Sequence, residues 1–177
     1  MANFVYIATS LDGFIATSEG GLNWLDDIPN PEGRDFGYAE FMNDIDALVM
    51  GRKTFEKVAS FGVWPYNKPV FVLSRSNISV PFELENKVEI VNKTPKKLVD
   101  DLRAQGYQNL YVDGGITIQS FLAADLIDEM IITRVPILLG NGIPLFGELT
   151  QRLYFKHKKT EVLNEIMVQS QYTRIRE

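Results

Sequence analysis

The sequence predicts an α/β protein: a three-layer arrangement in which a mostly parallel central sheet carries helices on both faces and closes with a C-terminal antiparallel hairpin. Three observations predict it. Short apolar runs rich in β-branched and aromatic residues alternate with helix-like segments up to about residue 135, the pattern of strand–helix–strand units. Two long extended stretches then end the chain without a helix between them. No repeat, low-complexity run or linker interrupts residues 1–177, which therefore read as one domain.

Each element has its own signal. Residues 4–9 form a short apolar run that reads as a buried strand, and residues 10–24 form a loop punctuated by Gly13, Gly20 and Gly21. A loop of that length is more often functional than accidental, and this one is placed to cover a ligand. Residues 35–43 fit a short helix with Phe36, Phe41 and Met42 on its packing side. Residues 46–50 read as a strand ended by Gly51, with a helix over 54–59. Strands follow at 69–73 and 88–91. Thr94-Pro95 opens a helix with a capping hydroxyl and a proline at its first position, and Gly106 closes it after about Gln105. A strand at 110–112, a turn at Asp113-Gly114-Gly115, a helix at 116–123 and a strand at 128–135 complete the alternating part. Residues 153–161 and 166–176 pair as the closing hairpin around Leu163-Asn164-Glu165.

Composition removes several functions. Apolar residues are 45% and charged residues 23% of the chain, which is ordinary for a globular protein rather than a disordered one. The net charge of −5 comes without a basic stripe, so no nucleic-acid partner is expected. The most basic stretch, residues 156–159, is four residues long and reads as a solvated strand end. With no cysteine there is no disulfide, thiolate metal site or cysteine nucleophile. His157, the single histidine, lies between lysines and reads as a surface or packing residue. No metal site is expected. The N-terminus lacks the basic start and apolar run of a signal peptide. Nothing approaches the roughly 18–20 apolar residues that span a bilayer. A cytoplasmic protein with no membrane partner is the expectation.

In open α/β sheets, ligands bind beyond the carboxyl ends of the strands, and four such positions carry unusual residues. Gly51-Arg52-Lys53-Thr54 joins a strand to a helix; glycine permits close approach, and helix N-terminal amides with two cations favour a phosphate. Leu73-Ser74-Arg75-Ser76 offers hydroxyls and a guanidinium, which binds phosphate through parallel bonds and stacks on adenine. If the two turns are neighbours they form a pocket for a 2′-phosphate, which favours NADPH over NADH. Asp113-Gly114-Gly115 is either a tight turn or a pyrophosphate seat. In the loop at 10–24, Trp24 either packs or touches substrate.

Together these residues resemble the dihydrofolate reductase superfamily, and within it the branch containing the reductase domain of riboflavin-biosynthesis enzymes. The marks are Ser10-Leu11-Asp12-Gly13-Phe14-Ile15-Ala16, Gly51-Arg52-Lys53-Thr54-Phe55-Glu56, Val72-Leu73-Ser74-Arg75, Gly114-Gly115, and Leu126-Ile127-Asp128-Glu129 followed by Pro136-Ile137-Leu138-Leu139-Gly140-Asn141-Gly142-Ile143-Pro144-Leu145-Phe146. The resemblance implies an NADPH site. Backbone atoms of Ala8, Ile15 and Ala16 would hold the nicotinamide carboxamide. Arg52, Lys53, Thr54, Ser74 and Arg75 would line the adenosine phosphate, and Gly114, Gly115, Ile116 and Thr117 the pyrophosphate. Asp35, sixteen residues before Gly51, falls where the superfamily's acidic residue binds the ring and assists its protonation; a helix N-terminal aspartate is the alternative. Asp12 matches a position near the riboflavin-type substrate pocket, or is a turn aspartate before glycine. Asp113 departs from the glycine that true dihydrofolate reductases carry there, and the missing cysteines exclude a zinc deaminase partner domain in this chain.

The implied activity is NADPH-dependent hydride transfer to a small pterin- or pyrimidine-type molecule, of the dihydrofolate type or the 5-amino-6-(5-phosphoribosylamino)uracil type. By the same resemblance a homodimer is expected. The alternative is a non-catalytic nucleotide-binding module on the same fold.

Overall fold

The computed structural model describes residues 1–176. Its framework is an eight-stranded sheet with ten strands in all, the remaining two forming a small second sheet. The strands are β1 (Ala2–Thr9), β2 (Phe14–Ala16), β3 (Ala47–Gly51), β4 (Val70–Leu73), β5 (Val88–Val91), β6 (Asn109–Asp113), β7 (Glu129–Arg134), β8 (Ile143–Pro144), β9 (Tyr154–Leu163) and β10 (Met167–Ile175). The helices are α1 (Tyr38–Asn43), α2 (Arg52–Ala59), α3 (Pro95–Ala104) and α4 (Gly115–Ala123). The large sheet runs β5-β4-β3-β6-β1-β7-β10-β9. Every neighbouring pair from β5 to β7 is parallel, and only β10 runs against its neighbours.

Two apolar layers follow from the alternation of side chains along the strands. On one face Val5, Val49, Leu110 and Val112 pack with Leu98 and Leu102 of α3 and Ile118 and Phe121 of α4. On the other, Leu48, Met50, Val70, Val72 and Tyr111 pack with Phe55 of α2, against Tyr38, Phe41 and Met42 of α1. Phe55 and Phe121 are almost fully removed from solvent, and truncating either to alanine costs about 3–5 kcal/mol. Helices therefore cover both faces, and the mostly parallel sheet with its terminal hairpin matches the sequence expectation.

Several boundaries differ. The first helix starts at Tyr38 rather than at residue 35, because Gly37 adopts φ 88° and breaks the helical path. α2 starts at Arg52, two residues earlier than expected, so the turn out of β3 is made at the Gly51–Arg52 junction itself. The loop at 10–24 contains β2, which pairs with β8; three-residue and two-residue strands leave too little periodicity to read. Residues 156–159 are solvated strand residues as expected, but lie within β9 rather than at its end. There His157 is exposed, bonds Thr160 and meets the Tyr172 ring edge-on, a surface role. The hairpin turn centres on Asn164 and Glu165, both left-handed, with Ile166 N donating to Leu163 O.

No helix among the described residues is long and apolar enough to cross a membrane.

Candidate active site

Because β1, β3, β4, β5, β6 and β7 all point the same way, their carboxyl ends share one edge of the sheet. Gly51 at the end of β3 is opposite Leu73 at the end of β4, so Arg52 and Ser74 start adjacent turns and Arg75 lies one residue further on. Met50 is opposite Asp113 at the end of β6. The turns after β3, β4 and β6 are thus neighbours.

Two glycine contacts show how close they come. A Cβ on Gly114 would fall 2.2 Å from Thr54 Oγ1, and Gly114 holds φ +90°, a conformation that only glycine adopts readily. A Cβ on Gly51 would fall 2.7 Å from Thr117 Oγ1. The β3–α2 and β6–α4 turns are therefore interlocked, threonine against glycine in each direction. Both helices start on a glycine with no side-chain cap, whereas α3 is capped by Thr94 Oγ1. Uncapped N-terminal amides need acceptors from outside the helix.

The first half of the long loop closes over this edge. Gly115 abuts Ile15 and Ile143, at 3.0 Å from a Cβ built on it, and Ala16 O would lie 2.3 Å from one on Gly142. Leu11 N donates to Ile137 O, and Leu145 N donates to Gly13 O. Asp12 completes the fastening. It accepts from Ser10 Oγ at 2.5 Å, Leu139 N at 3.2 Å and Gly140 N at 2.8 Å. The Ser10 hydroxyl and the backbone amides hold its carboxyl below the usual carboxylate range. Of the two readings for Asp12, the structure shows the turn role: its oxygens are engaged in tying residues 10–13 to 139–140. The same bonds make this part of the loop a fixed wall rather than a free lid.

Trp24 takes the packing alternative. Its ring is 3% exposed and is buried with Val135 and Met167 against Ala8, Ile28 and Phe36.

Asp35 shows the helix-start alternative. It is exposed at the entrance to α1, and its oxygens accept from Gly37 N at 3.1 Å and Ala39 N at 2.8 Å. Those amides hold its carboxyl below the usual range, which suits a cap for the helix start and opposes a proton donor at neutral pH.

Sequence reasoning treated Asp113 as part of a turn and as a departure from a family pattern, with no chemistry of its own. In the structure it is the aspartate whose carboxyl is raised rather than lowered. It ends β6 two residues after Tyr111 and so shares the face that carries α1 and α2. One oxygen accepts from Gly114 N at 2.8 Å. Burial pushes its carboxyl up to about 6. Aromatic hydroxyls lie near it: burial raises Tyr66, Tyr111 and Tyr38, the last to about 12, and the Asp113 charge adds to the rise in each. Tyr111 donates to Tyr6 O, and Tyr6 donates to Phe36 O. The signal for this residue was present as an acid closing the otherwise apolar run Leu110-Tyr111-Val112.

Among the described residues no group of three or more histidine, aspartate or glutamate side chains is placed to hold a metal.

Strand order, interlocked turns and a roofed sheet edge define the dihydrofolate reductase-like fold. The fold is shared with dihydrofolate reductase from Enterococcus faecalis complexed with NADP(H), at a TM-score of 0.66 and 19% identity over 98% of this chain and 96% of that one. More narrowly, the chain belongs to the RibD C-terminal domain family, whose model matches residues 4–168. A crystal structure from Shewanella sp. PV-4, of a protein named for riboflavin biosynthesis, is similar at 52% identity and a TM-score of 0.96, covering 99% of this chain and all of that one. The uncharacterized protein YwjB of Bacillus subtilis (strain 168) is 37% identical over 96% of each chain.

Proposed function

We propose that this chain is an NADPH-dependent reductase that passes a hydride to a small pterin- or pyrimidine-type ring. The observation that carries the reading is the interlocking of Thr54 with Gly114 and of Gly51 with Thr117. It brings two uncapped helix N-termini together beside Arg52 and Arg75. Such a cradle suits a linked chain of phosphates: amides for the pyrophosphate and guanidinium groups for an additional phosphate on the adenosine.

The residues fit the cofactor where a side chain would not. Gly114 and Gly115 leave the backbone of their turn open, with Ile116 exposed on the first turn of α4 and Thr117 behind it. Arg52, Lys53 and Thr54, with Ser74 and Arg75 on the next strand end, would receive the adenosine side. Ala8, Ile15 and Ala16 would present backbone groups to the carboxamide. Bound there, NADPH supplies the hydride. The chain's own part is to align the two rings, exclude water with the fastened loop, and hold a proton. Asp113 takes the role first given to Asp35, because a carboxyl lifted to about 6 stays partly protonated near neutrality.

Titration of the purified chain with NADPH and NADH, followed by nicotinamide fluorescence, tests the reading. Expected are micromolar binding of NADPH, at least tenfold weaker binding of NADH, and loss of that preference in Arg52→Ala and Arg75→Ala. Equal affinity for both dinucleotides would refute the phosphate pocket. Binding without turnover of any pterin, folate or aminouracil would favour the non-catalytic module.

A further inference from the structure

Between α1 and the strands β1, β7, β10 and β9 runs a trough of about 370 Å³, within the size range of small-molecule sites. It shares no residue with the turns after β3, β4 and β6, so what it holds is independent of the reductase reading. Its floor is aromatic. The Phe41 ring centroid lies 4.9 Å from that of Tyr6 and 6.0 Å from that of Phe4. Tyr6 Oη donates to Phe36 O at 2.7 Å, which ties the floor to the entrance of α1.

The charged lining is mostly acidic. Of its four carboxylates, Glu161 pairs with Lys159 at 2.9 Å and Glu129 with Lys158 at 3.3 Å. Lys159 is the one cation that lines the trough among the described residues. Glu40 and Asp44, one turn apart along α1, are exposed and have no ion pair among the described residues. Asp44 also stands at the carbonyl end of α1, where the helix dipole favours a cation and the last turn supplies none.

Gln169 is a separate observation that points the same way. It lines the trough and is only 6% exposed. Its amide nitrogen donates to Thr133 Oγ1 at 3.0 Å and to Tyr6 Oη at 3.3 Å. Those bonds use both amide hydrogens and fix which end of the amide is left over. The carbonyl oxygen that remains accepts from no described residue. An acceptor on so buried a side chain calls for a donor from outside the chain.

We propose that the trough binds a linear aliphatic polyamine, with ammonium groups on Glu40 and Asp44, an N–H on the Gln169 carbonyl, and methylenes on the aromatic floor. Side chains four residues apart on a helix are about 5–6 Å apart at Cβ, so two ammonium groups joined by a short methylene chain reach both carboxylates of α1. Each ammonium gains from the ring faces of Tyr6, Phe4 and Phe41, and the methylenes between them cover apolar surface. An inorganic divalent cation makes no use of that floor. A monoamine leaves one of the two free carboxylates without a partner.

Calorimetric titration of the full chain with spermidine, n-butylamine and magnesium chloride, all at an ionic strength of about 0.15 M, tests the site. Spermidine should bind at least about tenfold more tightly than either of the others. Glu40→Gln combined with Asp44→Asn should weaken spermidine about tenfold, since each exposed charge pair is worth up to about fivefold. Lys159→Ala, which releases Glu161, should strengthen it about twofold to threefold. Glu83→Gln removes an exposed acid between β4 and β5 and should change nothing. Gln169→Met should weaken spermidine; should that variant not fold, the exposed pair at 40 and 44 decides. Spermidine binding no tighter than magnesium or n-butylamine, or weakened as much by Glu83→Gln as by the α1 pair, would mean general charge screening and overturn the site. So would a doubly substituted α1 that binds spermidine as the native chain does.

Discussion

Replacing Gly114 by alanine tests the interlocked turns directly. The new Cβ meets two separate obstacles. The first is backbone strain: φ +90° with ψ 137° is a glycine conformation, and a side chain held there costs roughly 1–3 kcal/mol. The second is steric. Thr54 Oγ1 would lie 2.2 Å and Thr54 Cβ 3.3 Å from the added carbon, so the hydroxyl must leave its rotamer or α2 must shift, at roughly 1–2 kcal/mol. Together they lower stability by about 2–5 kcal/mol. At about 2–4 °C per kcal/mol for a chain of this size, the melting temperature should fall by roughly 5–15 °C. A double-mutant cycle separates the terms. In a Thr54→Ala background the hydroxyl clash disappears and only the strain remains, so the cycle should show a coupling of about 1 kcal/mol or more. NADPH affinity measured on all four proteins should fall in both Gly114→Ala variants, because the methyl group also fills the turn. Strict additivity between Thr54 and Gly114, with NADPH binding unchanged, would refute the contact and the pyrophosphate seat together.

Three further outcomes are expected. The Asp113 carboxyl ionises near 6 in the fold and near 3.8 in the unfolded chain. Between those values the folded state holds the extra proton, so stability falls as pH rises, by up to about 3 kcal/mol. Asp113→Asn should accordingly match the native chain in melting temperature at pH 4 and exceed it at pH 7.5; a constant difference across the range would sink the reading. Arg174 is 8% exposed and grips Asp125 through Nε at 2.7 Å and Nη2 at 3.0 Å. Arg174→Ala should therefore cost about 2–4 kcal/mol, and Arg174→Lys should recover little of it, as seen by thermal melts. Asp12→Asn should speed hydrogen exchange at the Leu139 and Gly140 amides while leaving that of α3 unchanged; unaltered exchange there would contradict the fastening role.

Much of the fold was legible because its signals are local. Thr94-Pro95 announces α3 through chemistry confined to one turn, and the structure supplies the cap in the form of Lys97 N donating to Thr94 Oγ1. The apolar runs of β3 and β4 are buried on both faces, so their composition alone marks them. β2 and β8 were not legible. Five residues in all are too few for a period, and their pairing depends on the Gly13–Leu145 bond across 132 positions of sequence. The helix start was misplaced for a related reason. Asp35 looks like a first-turn acid, and it does serve α1, but Gly37 lies between them with a left-handed backbone that composition does not announce.

The site divides along the same line. The proposed phosphate site rests on glycines, hydroxyls and guanidinium groups at strand ends, residues with few other uses in combination, and only the strand order shows that they meet. The ring side was harder to read because a carboxylate's role depends on what else competes for it. Asp12 and Asp35 occupy the expected positions in sequence, yet the Ser10 hydroxyl with two amides at Asp12, and two amides at Asp35, depress their proton affinity. Asp113 has one such amide and far greater burial, so desolvation prevails and its proton affinity rises. Three aspartates thus separate into two fasteners and one acid through the number of amides facing each and the amount of water left to it. Neither quantity is written in the residues beside them. For Asp113 both follow from its place at the end of β6, beside Tyr38 and Tyr66, and that is why the proposed reductase reading puts the proton there rather than at the start of α1.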